Sequence, residues 1–111
     1  AVLSKPELDC IMQDGRKYYL FDTGMATGSM ILRATELGLV AHPIAGFNPE
    51  KVKEILKIPK DMEVITLVIV GKHSEKISPV LSEKQIEAEK NRPERISLDN
   101  LMFINQFKIP T

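Results

Sequence analysis

The stretch Asp22 to Phe47, DTGMATGSMILRATELGLVAHPIAGF, constrains the fold more than any other part of the chain. Met25, Met30, Ile31, Leu32, Ala34 and Leu37 spread around most of a helical circumference, and a helix apolar nearly all round is buried on several sides. Asp22 is a good N-cap, because its carboxylate can accept orphan backbone N–H groups and favours the positive helix end. The helix is therefore predicted to start there and to stop at Gly38, placed as the residue just past the C-cap. Gly24 and Gly28 stand one turn apart with Ser29 beside the second. In an isolated helix each glycine costs about 1 kcal/mol relative to alanine. Close approach of another backbone offsets that cost, either from the same chain or from a second subunit. Leu39 to Ile44 then reads as a short buried strand, and Pro43-Ile44-Ala45-Gly46-Phe47 as the turn that leaves it.

The flanking segments read as packing around this stretch. Ala1 to Leu3 reads as the end of a strand, and Lys17 to Phe21 as an extended approach to the helix. Asn48 and Pro49 open a second helix, with asparagine as N-cap and proline at the first helical position. Val52, Ile55 and Leu56 give that helix an apolar face, and Pro59 ends it. Met62 to Val70, MEVITLVIV, is a β-branched run of the type covered on both faces, which implies a sheet with helices above and below. A single domain over residues 1–111 is expected, with a polar excursion at 72–95 in which Ser82 to Asn91 can form a short solvated helix. The terminal extension at 96–111 carries alternating apolar residues, Leu101, Phe103, Phe107 and Ile109 on one side, which read as a last strand. Docking on a second subunit would cover it.

Charge and cysteine content narrow the function classes. Fifteen basic and fifteen acidic residues cancel, so the broad positive footprint of a nucleic-acid binder is missing and any anion site must be local. One cysteine, Cys10, allows no intrachain disulfide and suits a reduced, cytoplasmic setting. The run Val64 to Val70 is far short of the roughly 20 residues of a membrane span, and no signal peptide is expected. His42 and His73 lie far apart and outside metal-ligand spacing, so no metal site is expected. No catalytic side chain stands out.

Two features remain. Gly46 follows a buried strand and lets its backbone N–H approach a flat ligand without side-chain obstruction, although a glycine before a helix also serves simply to make a turn. Lys90 and Arg92, one residue apart, can point two cations at one phosphate from an extended segment, or lie on a solvated surface.

In this order, these residues resemble the C-terminal half of the nitroreductase family of flavin enzymes. The likeness runs from Phe21 to about Ile96, through DTGMATGSMILRATELGLVAHPIAGF, NPEKVKEILKIP, VITLVIVGK and KNRPERI. It implies an α+β fold with a central sheet flanked by helices, present here in part and completed by dimerisation. It also implies FMN as cofactor and NAD(P)H as electron donor, with a nitroaromatic, quinone or similar acceptor. The partner would be a second copy, or a separate chain bringing the family's N-terminal half with its arginine- and serine-containing phosphate motif. By the resemblance, Pro43, Ile44 and Ala45 pack on the isoalloxazine ring, the Gly46 N–H donates to flavin N5, and Lys90 and Arg92 hold the phosphate. Ala45 stands where some members carry a glutamate. The rival reading is a non-catalytic dimerisation or ligand-binding module that keeps part of the fold without flavin.

Overall fold

The computed structural model describes residues 1–10, 12–91 and 93–107. The chain divides into two compact units, residues 1–73 and residues 74 onward. The first is built on a three-stranded antiparallel sheet of strands β1 (Val2–Ser4), β2 (Val40–Ile44) and β3 (Glu63–Gly71), in the order β1-β3-β2. Helix α1 (Tyr18–Glu36) joins β1 to β2, and helix α2 (Pro49–Leu56) joins β2 to β3.

The β-branched run Glu63–Gly71 takes the central position because it alone is long enough to pair on both edges. On one side Val40 to Ile44 pair with Gly71 back to Leu67, and on the other Val2 pairs with Thr66 and Ser4 with Glu63. Pro43 lies on an edge strand opposite Val68, a position where the missing N–H can face away from the ladder.

The N-cap of helix α1 lies five residues earlier than its sequence suggests. Lys17 is the N-cap and makes no side-chain capping bond, while the KYYLF segment, read as extended, is already helical from Tyr18. Asp22 lies in the second turn and is no cap. The capping carboxylate comes instead from Asp9, whose Oδ2 accepts the backbone N–H of Tyr19 at 2.5 Å. This is the bond an N-cap side chain makes, delivered from ten residues upstream. At the other end Leu37 closes the helix, and Gly38, at φ +71°, takes the left-handed conformation expected of it.

The inward stripe of α1 is Tyr19, Thr23, Thr27, Ile31 and Ala34, at spacings of three and four. Thr23 and Thr27 are accommodated there because each hydroxyl donates to the carbonyl one turn back, Tyr19 O at 2.6 Å and Thr23 O at 2.7 Å. Tyr19, Ala34 and Val64 are the buried apolar residues of the described core. The two-sided burial predicted for α1 and β3 is only partly realised by this chain's own atoms. Leu32 is 70% exposed, Met25 54% and Ile69 61%, and a Cβ added at Gly24 or Gly28 would meet nothing within 4 Å.

Helix α2 is capped as its sequence predicts, Asn48 Oδ1 accepting the Lys51 N–H at 3.0 Å. It ends at Leu56 through Lys57 in the left-handed region, two residues ahead of Pro59. Val52 is half-buried, whereas Ile55 and Leu56 of the expected apolar face are exposed.

The second unit contains helix α3 (Glu83–Lys90), opened by a capping box in which the Ser82 hydroxyl accepts from Gln85 N and the Gln85 side chain accepts from Ser82 N. The predicted terminal strand is not formed among the described residues. Leu98–Asn100 is a single 3-10 turn, and Phe103 packs edge-on against Phe107 with ring centroids 4.9 Å apart. A strand needs a neighbour to satisfy its backbone, and the alternation of apolar residues alone does not provide one. Ile109 lies outside the described residues.

Candidate functional site

The segment Pro43 to Phe47 is held at both ends and open in the middle. At its start, the Thr66 hydroxyl of the central strand donates to the Ile44 carbonyl at 2.8 Å, fixing the last peptide of β2. At its end, Asn48 caps α2. Between them the Phe47 N–H donates to the Ala45 carbonyl at 3.0 Å, closing a tight three-residue turn, and the Phe47 side chain is half-buried. Among the described residues, no backbone or side-chain acceptor takes the Gly46 N–H. Gly46 is exposed, and a Cβ added there would meet nothing within 4 Å.

Two consequences follow. The glycine is not demanded by crowding from this chain's own atoms, and its φ lies outside the left-handed region, so the fold gives no internal reason for it. What the segment presents is the Gly46 N–H, which like that of Ala45 has no protein acceptor among the described residues, on an open ledge flanked by exposed Pro43 and Ala45 and half-buried Ile44. Such an exposed N–H can donate to water or to an acceptor atom of a ligand. Along β2, Pro43 and Ile44 point to opposite faces of the sheet, so a planar ligand touching both must lie against the strand's end.

The basic pair is placed differently from its sequence reading. Lys90 is the last residue of α3 and not part of an extended segment; the following Asn91 is extended. Helix extension to Lys90 is favoured by the capping box at Ser82 and by the cation's position in the last turn, near the negative helix end. Arg92 lies outside the described residues. Among the described residues no group of three or more His, Cys, Asp and Glu side chains could hold a metal ion, and no helix is long and apolar enough to cross a membrane.

The residues that sequence reasoning missed are those that brace the first unit. Thr66 is the one hydroxyl in the run Val64 to Val70, and a lone polar residue in a buried strand is a signal that it has a specific partner. Tyr19 uses both of its donors: its N–H meets Asp9, and its phenol donates to Glu63 Oε2 at 2.6 Å. The bond to Glu63, with burial behind it, raises the phenol's pKa above the ordinary value. Lys5 pairs with Asp61 at 2.6 Å, which lowers the pKa of the aspartate and raises that of the lysine. These ties fix β1, α1 and the entry to β3 against each other, and none of them is readable from local pattern.

A nitroreductase family model matches residues 11–72, which span α1, β2, α2 and β3. Protein DrgA of Synechocystis is 30% identical over 83 residues, covering 75% of this chain and 36% of DrgA. MhqN of Bacillus subtilis, named as a candidate NAD(P)H nitroreductase, is 29% identical over 83 residues, covering 64% of this chain and 40% of its own. A solved structure described as an oxidoreductase containing FMN superimposes with a TM-score of 0.74 at 25% identity, over 97% of this chain and 54% of that one. The chain thus spans well under half the length of the two curated relatives. Its small antiparallel sheet with flanking helices is an α+β arrangement, shared with that solved structure over the part compared. On the match across residues 11–72 and the shared fold, the chain belongs to the nitroreductase family.

Proposed function

We propose that this chain forms one wall of an FMN site in an NAD(P)H-dependent oxidoreductase. The observation that carries the reading is the free, unobstructed N–H of Gly46 at the exit of β2. When bound, FMN would supply the redox chemistry, taking hydride from NAD(P)H at N5 and passing reducing equivalents to a nitroaromatic, quinone or similar acceptor. The chain's own part is to bind and orient. On the resemblance, the Gly46 N–H would donate to N5, Pro43, Ile44 and Ala45 would contact the ring, and Lys90 and Arg92 are the cations that would hold the phosphate. The Thr66 hydroxyl keeps the Ile44 carbonyl, and with it the ledge, in a fixed direction. A donor held in place by the scaffold before the ligand arrives needs no reorganisation when charge develops beside it.

The wall is completed by a partner, which we take to be a second copy of the chain. The outward side of α1 supports this, because Met25, Met30, Leu32 and Leu37 are exposed and a Cβ added at Gly24 or Gly28 would meet nothing within 4 Å.

The test is the absorption spectrum of the purified protein together with its native mass. A yellow dimer carrying FMN, oxidising NAD(P)H, is the expected result. A colourless protein whose melting temperature is unchanged by added FMN would overturn the flavin reading. It would favour the non-catalytic module.

A further inference from the structure

We draw no further inference here: the strongest candidate, the open cavity of about 300 Å³ between the Asp9–Lys17 loop and the start of β3 with the exposed Cys10 on its wall, carries nothing because Asp9, Arg16 and Tyr19 are already committed to the Tyr19 backbone, Asp14 and Glu63, which leaves a lone cysteine and no second group that points to a ligand.

Discussion

Gly46 separates the fold from the proposed site with a single side chain. An added Cβ meets open space, and the backbone is not left-handed, so Gly46→Ala is expected to change stability by no more than about 0.5 kcal/mol, the range of a neutral surface substitution. Gly46→Val extends two methyl groups from the same exposed position and is expected to melt much like the parent. Toward a flat ring the effect is the reverse. A side chain on the ledge displaces the ring from the N–H, removing a hydrogen bond worth about 1 kcal/mol and the packing beside it. FMN affinity should then fall at least about tenfold for valine, equivalent to about 1.4 kcal/mol, with alanine in between. The assay is titration of FMN by its fluorescence quenching, run beside thermal melts of each variant without flavin. A valine variant that binds FMN within twofold of the parent, at unchanged melting temperature, refutes the placement of Gly46 against the ring.

Four other outcomes follow from the described geometry. Asp9→Ala should cost about 1 kcal/mol in denaturant unfolding, the usual worth of a lost N-cap, whereas Asp22→Ala should stay within about 0.5 kcal/mol. Val64→Ala removes two carbons from the buried centre, about 0.8 kcal/mol each in transfer, and with the cavity left behind should cost about 2 kcal/mol by the same measurement. The Lys5–Asp61 pair lowers the folded pKa of the aspartate, so its contribution is present above the ordinary value of 3.8 and is lost as pH falls through the lowered one. The lysine, raised above 10.5, keeps its contribution below that value and loses it as pH rises through the raised one. Asp61→Asn should therefore lower stability across the neutral range and flatten the acid limb of melting temperature against pH. Leu32→Glu, at a 70% exposed position of α1, should leave the circular dichroism of the protein intact and shift the native mass of the proposed dimer to that of a monomer; an unchanged dimer would place the interface elsewhere.

What was legible in the sequence was local. Asn48 accepts the N–H three residues ahead, Ser82 and Gln85 cap each other, and Gly38 answers the backbone's own demand for a positive φ, so each signal and its structural effect lie within one turn of chain. The sheet's central strand could be read from its β-branched composition. The start of α1 could not, because its capping carboxylate, Asp9, is brought in by tertiary folding. The terminal alternation of Leu101, Phe103 and Phe107 failed for a related reason, since periodicity marks a strand only when a partner edge exists, and here the two phenylalanines pair with each other. At the candidate site, the turn and its glycine were visible. The support from Thr66 was not, because it comes from a strand twenty-two residues away.

The pairing of Val2 with Thr66 sets an order on how the molecule can be made. Within the described sheet β1 is synthesised before its only partner there, β3, which emerges about sixty residues later. At roughly 5–20 residues per second this is an interval of several seconds, long compared with the microseconds in which α1 can coil. The nascent chain therefore carries an unpaired edge and an apolar helix together until β3 arrives. A chaperone that binds extended apolar segments would find its substrate in that window, and slowing translation between Ala45 and Gly71 should lengthen it.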